Sequence, residues 1–160
     1  MQAPEIAKTL RLYRQLARFP GGRWLFTRAV CWRAPYFASV RPSITCLAPL
    51  HCEVRMRKRR RVQNHLGTVH AIAMANLCEL AAGLATEVTL PTGLRWIPKS
   101  MTIEYLKRAA TDLRAVCQLG ADPVWRDGLE LVMPVFVLDD SDTPVVQARI
   151  TMWITARKAA

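Results

Sequence analysis

Asn64, Gly67, His70 and Glu79 stand close together at the start of the most apolar stretch of the chain. A carboxylate on an apolar helix must pair, take up a proton or do chemistry as a base or nucleophile, because burying it bare is costly. A helix amino terminus supplies the complement: unpaired N–H groups and a partial positive charge suited to a developing oxyanion. Gly67 and Thr68 provide a tight turn and a candidate N-cap for such a helix. His70 and Glu79 are nine residues apart, about two and a half turns and roughly 13 Å of rise, so their side chains point to opposite faces. One chain therefore does not bring both to one substrate, and a shared site needs two antiparallel helices. A homodimer or a dimer of dimers is expected.

Each residue also has a plainer role open to it. Glu79 can bond to backbone or to Asn76 on the same face, and His70 can simply satisfy backbone groups at the helix start. Asn64 can be an ordinary turn residue.

The surrounding pattern shows what must position them. Ile6 to Phe19 repeats apolar residues at three and four and stops at Pro20-Gly21-Gly22, which predicts an amphipathic helix. Trp24 to Trp32 continues in the same aromatic and basic style until Pro35. Together these form a helical lid or a surface for membrane or acyl chains. Ser43 to Pro49 and His51 to Gln63 read as strands. Val69 to Ala85 is apolar on nearly every face and must be wrapped on most sides. Four further strands are expected: Met101 to Leu106 and Leu113 to Leu119 as a hairpin, Leu129 to Leu138 with Pro134 marking an edge or bulge, and Val145 to Ala156. The order of elements predicts an α+β fold, an antiparallel sheet curled round one central helix, with residues 1–42 as a helical extension and 43–160 as the main domain.

Asn64, Gly67, His70-Ala71 and Glu79 stand at the spacing Asn-x-x-Gly-x-x-His followed nine positions later by an acid, and Met101 to Ala109 reads as a matching later strand. Over residues 43–156 this resembles the hotdog-fold acyl-CoA thioesterases of the phenylacetate-pathway type, and more closely a branch that prefers His-Ala to His-Gly. The resemblance implies a thioester carbonyl polarised by the Ala71 N–H beside His70. It implies Glu79 of a partner subunit as general base or nucleophile, and Asn64 placing water or substrate. Gly67, Thr68 and Asn76 would line the substrate site. The reaction would be cofactor-independent hydrolysis of an acyl-coenzyme A, with the acyl group apolar in view of Trp24, Phe26, Trp32 and Phe37. A binding module without turnover is the alternative.

Charge is uneven. Residues 1–61 hold 14 of the 23 Lys and Arg against Glu5 and Glu53 alone. On a continued strand Arg55, Arg57, Arg59 and Arg61 would share one face, apt for the phosphates of coenzyme A, with Arg59 and Arg61 as the named contacts; a solvated basic face is the alternative. The run lacks interleaved aromatics and a reading helix, which argues against nucleic acid. Peripheral membrane contact through residues 6–37 stays open. The five scattered cysteines show no Cys-x-x-Cys, which argues against a disulfide framework or a zinc site and for a reducing, cytoplasmic setting. Early charges predict no secretory signal. No Gly-x-Ser-x-Gly, Walker or Gly-x-Gly-x-x-Gly motif occurs.

Overall fold

The computed structural model describes residues 7–157. Its elements are α1 (Lys8–Leu16), α2 (Gly22–Arg33), a 3-10 segment Pro35–Val40, β1 (Ser43–Ala48), β2 (His51–Met56), a 3-10 turn Arg60–Val62, α3 (Ala71–Thr89), β3 (Leu94–Tyr105), β4 (Leu113–Gln118), β5 (Leu129–Leu138) and β6 (Pro144–Ala156). The expected start of the first helix at Ile6 lies outside the described residues.

The α1–α2 corner is fixed by glycine. Gly21 takes φ 77°, a left-handed conformation, and a Cβ on Gly22 would lie 1.7 Å from the Leu16 carbonyl oxygen. Tyr13 and Phe26 meet edge to face across the corner, ring centres 5.1 Å apart. Leu10, Tyr13, Phe26 and Val40 join the same hydrophobic core as the sheet and α3.

The sheet has six strands in the order β1-β2-β4-β5-β6-β3, every pair antiparallel. Alternation sends Cys52, Val54 and Met56, then Leu113, Ala115 and Cys117, then Met133, Val135 and Val137 to its inner face. Against them α3 buries Met74, Leu77, Cys78, Ala81, Ala82, Ala85 and Val88. By length and composition α3 could cross a membrane, yet 67% of its apolar window is buried within the fold.

Three expectations are corrected. First, β2 ends at Met56, not Gln63, because its neighbour β4 begins opposite it at Leu113 and the ladder has no further partner. Beyond that point Lys58 N–H donates to the Asp112 carboxylate at 2.8 Å and the chain turns away. The arginines after it therefore do not continue the strand alternation. Second, β3 and β4 are not a hairpin: β3 pairs with β6 from Leu94–Ala156 to Tyr105–Val146, and β4 lies between β2 and β5. The intervening segment passes the start of α3, where Ala109 C=O accepts Val69 N–H at 2.8 Å, before crossing to the other half of the sheet. Third, β5 is an interior strand, but its pairing with β4 covers only Val135 to Leu138, so Pro134 sits where β6 is its sole neighbour. As expected, α3 is wrapped on most sides, with a few positions left open. Ile72 is exposed, and Glu79 and Glu87 are half-buried.

The two sheet edges are treated differently. At β1, the Thr27 hydroxyl accepts Ile44 N–H at 3.1 Å and the Tyr13 hydroxyl donates to Thr45 C=O at 3.2 Å, so the N-terminal helices cover that edge. The twelve residues of β3 pair on one side only and expose Ile97, Met101 and Tyr105.

Candidate active site

The start of α3 is built by two local devices. In the first, Asn64 closes its own loop: its Oδ1 accepts the N–H groups of Leu66 at 3.0 Å and Thr68 at 3.2 Å, and its Nδ2 donates to the Thr68 hydroxyl at 2.9 Å. Gly67 takes φ 72° at the apex, a position that favours glycine. In the second, His70 has extended backbone (φ −68°, ψ 139°) and is the N-cap, its Nδ1 accepting Ile72 N–H at 3.1 Å. This corrects the expected cap at Thr68, whose hydroxyl is held by Asn64. Since Nδ1 accepts, the neutral imidazole carries its proton on Nε2.

The four N–H groups that open α3 are then unequal. Ile72 is satisfied by the His70 ring, and Ala73 and Met74 by His70 C=O at 3.0 and 3.2 Å. Ala71 N–H has no acceptor among the described residues. A carbonyl placed there would meet a free donor at the positive end of a 19-residue helix. Tyr105, at the end of β3, donates its hydroxyl to Ala71 C=O at 3.3 Å.

Two cavities flank α3, divided by the 3-10 segment Pro35–Val40. The first, about 940 Å³, is lined by Tyr36, Ser39, Arg61, Gln63, His70, Ile72 and Asn76. Asn76 is 5% exposed, and its Oδ1 has no hydrogen-bond partner among the described residues. The second, about 560 Å³, lies between α3 and the N-terminal helices, with Phe26, Val30, Phe37, Leu80, Leu84 and Trp96 as apolar walls and Glu79 and Glu87 as the acids. Trp96 is fixed by donating its Nε1 hydrogen to Glu87 Oε2 at 2.8 Å and packs so closely on α3 that a Cβ on Gly83 would lie 2.8 Å from its ring. Glu79 makes no hydrogen bond or ion pair among the described residues, to Asn76 or to any other group.

His70 and Glu79 thus open into different cavities of one chain. The cause differs from the opposed faces that the spacing suggested: as the cap, His70 lies outside the helical phase. Along α3, Ile72, Asn76, Glu79 and Gly83 recur at three and four on one stripe, so rise along the axis separates the two ends.

Arg59 and Arg61 also part company. Arg61 lines the His70 cavity. Arg59 donates from Nη2 to Val40 C=O at 2.8 Å and lines a third cavity of about 1010 Å³, where Arg28, Arg41, Arg55, Arg57 and Arg114 are offset by Asp112, Asp139, Asp140 and Asp142. Desolvation, and then repulsion from Arg41, Arg57 and Arg61, lowers its pKa from the ordinary guanidinium value. The aromatic group is likewise divided: Phe26 and Phe37 line the apolar cavity, Trp24 the arginine cavity, and Trp32 is in solvent. In the sequence Gln63 and Tyr105 read only as strand residues and not as part of the site. Gln63 gives no signal beyond its neighbour Asn64, whereas Tyr105 ends the alternating strand Met101-Ile103-Tyr105 and could have been marked as its polar terminus.

Comparison with known proteins agrees with this architecture. A structural-genomics crystal structure, APC5556, is 43% identical and aligns over 94% of this chain and 97% of its own, with a TM-score of 0.81. PA5026 from Pseudomonas aeruginosa, a protein of unknown function described as a probable thioesterase, is 19% identical over 87% of this chain and 97% of its own (TM-score 0.75). The thioesterase HI1161 from Haemophilus influenzae is 14% identical over 82% and 89% (TM-score 0.70). No curated protein matches the chain. A family model described as a domain of unknown function, DUF4442, matches residues 22–154. The chain belongs to that family, and its fold is the hotdog fold, shared with these thioesterase structures.

Proposed function

We propose that the protein hydrolyses the thioester of an acyl-coenzyme A in a site shared by two copies of the chain. The observation that carries this reading is the unpaired Ala71 N–H at the start of α3. In the proposed reaction that N–H holds the thioester oxygen as it gains charge. Glu79 of the partner subunit takes a proton from water, and the hydroxide attacks the carbonyl carbon. The tetrahedral intermediate collapses with loss of the coenzyme A thiolate, which recovers the proton, leaving a carboxylic acid and a free thiol. His70 acts by holding the first turn of α3.

The open edge of β3 supports the assembly. It is twelve residues long and exposes Ile97, Met101 and Tyr105, and the Tyr105–Ala71 bond ties its end to the helix start, so a second copy paired along β3 would lie beside Ala71. The cavity holding Glu79 offers walls for an apolar acyl chain, and Arg61 offers a guanidinium for a coenzyme A phosphate. One observation favours the alternative of acyl-CoA binding without turnover: the Asn64 side chain is occupied by its own loop, leaving little to place a water.

Thiol release from acyl-CoAs of several chain lengths decides between them. Glu79→Gln should lose ~10²-fold or more in turnover while ligand affinity survives. Undiminished hydrolysis in Glu79→Gln removes the carboxylate from the mechanism, and affinity with no thiol release by the unaltered protein leaves the binding module.

A further inference from the structure

The two N-terminal helices carry a surface that the core does not use. Along α2, Phe26, Thr27 and Cys31 face inward, while Leu25, Arg28, Ala29 and Trp32, spaced by three, four and seven, form an exposed crest. Trp32 is 85% exposed, and Phe19, Trp24 and Tyr36 at the ends of the helix are 68%, 63% and 70% exposed. Every Lys and Arg from Lys8 to Arg41 is also exposed, and none is ion-paired among the described residues. From Ile6 to Cys52 the sequence has no acidic residue at all.

We infer that this face docks the protein on an anionic lipid surface, with the Leu25–Trp32 crest entering the headgroup boundary and the flanking arginines meeting lipid phosphates. Exposed tryptophans suit that boundary, having an apolar ring and one N–H to leave in the wet layer. Helices with apolar crests and basic flanks bind there through buried area and charge together. A second copy of the chain fits poorly, because a two-fold contact would set this cationic face against itself. A nucleic-acid strand would use aromatics in a basic groove; Trp24 and Arg28 do line the third cavity with other arginines, but Asp112, Asp139, Asp140 and Asp142 line it too, and the crest adds Leu25 and Ala29, which offer no stacking face. Ala29 and the exposed Leu12 also line the apolar cavity holding Glu79, so the docking face carries that cavity's rim.

Flotation of the full chain with vesicles tests the inference. Vesicles rich in phosphatidylglycerol should carry the protein up, phosphatidylcholine alone should not, and salt should weaken the association. Leu25→Ser with Trp32→Ser should reduce bound protein at least tenfold with unchanged melting, and Arg28→Gln about fivefold. Thiol release from a soluble substrate should be untouched in Leu25→Ser/Trp32→Ser, so the outcome is independent of the proposed hydrolysis. No flotation with phosphatidylglycerol, or flotation indifferent to Leu25 and Trp32, overturns the inference. Binding of polyuridine that depends on Trp32, without flotation, assigns the face to nucleic acid instead.

Discussion

Replacing His70 by alanine and by asparagine separates capping from direct chemistry. The imidazole is exposed, so its removal opens no cavity, and what is lost is the bond from Ile72 N–H to Nδ1 at 3.1 Å. Loss of one cap costs about 1 kcal/mol, which for a chain of this size lowers melting by about 2–4 °C. Asparagine is among the best caps, so His70→Asn should recover most of that loss while offering no imidazole. Turnover should follow stability: in His70→Ala the first turn frays and the Ala71 N–H loses its fixed direction, and in His70→Asn thiol release should return towards the unaltered level. Calorimetry and the thiol assay on the same three samples suffice. Unchanged melting in His70→Ala, or a His70→Asn protein that is fully stable and still inactive, would refute the assignment of His70 as a positioning residue.

Two other consequences concern charge and burial. Burial pushes the thiols of Cys78 and Cys117 up to about 12, and Cys52 well above its ordinary value, whereas unfolded thiols titrate near 9. Folded values are raised, so this stability is complete below about pH 9 and lost as pH climbs from there towards 12, by about 1.4 kcal/mol per pH unit for each thiol. Urea midpoints at pH 8 and pH 10 should show the fall, and Cys117→Ala should reduce its slope; an unchanged slope contradicts it. For the arginines, Arg61→Glu should weaken coenzyme A binding and its salt dependence at constant stability. Arg59→Glu, which breaks the bond to Val40 C=O, should cost about 1 kcal/mol in denaturant titration. Equal effects of the two changes on binding would place both in one site.

The fold was legible where periodicity alone decides it. Leu129–Leu138 has the expected bounds, Val145 to Ala156 gains only Pro144, and the apolar run after Val69 is the central helix. Pairing was not legible, because alternation marks Met101 to Leu106 as a strand without naming β6 as its partner. The end of β2 depends on where β4 begins, a fact of another segment. At the site, Asn64, His70, Ala71 and Glu79 were named through the resemblance to a family motif, which could not rank competing caps. Thr68 and His70 can both accept from a helix N–H, and Asn64 decides between them by taking the Thr68 hydroxyl. The aromatics shared a composition and not a location, since Phe26 faces the core and Trp32 the solvent.

The measurement closest to the central claim is thiol release by Ala71→Pro. Proline is favoured at the first position of a helix and replaces the N–H in question with a ring methylene, and the extended backbone of His70 suits a residue before proline. The change should leave melting unaltered, because no bond of the described residues uses that N–H. If the Ala71 N–H stabilises the oxyanion, hydrolysis falls by ~10²–10³-fold while acyl-CoA affinity changes little. A stable Ala71→Pro protein that hydrolyses at the unaltered rate would contradict the account.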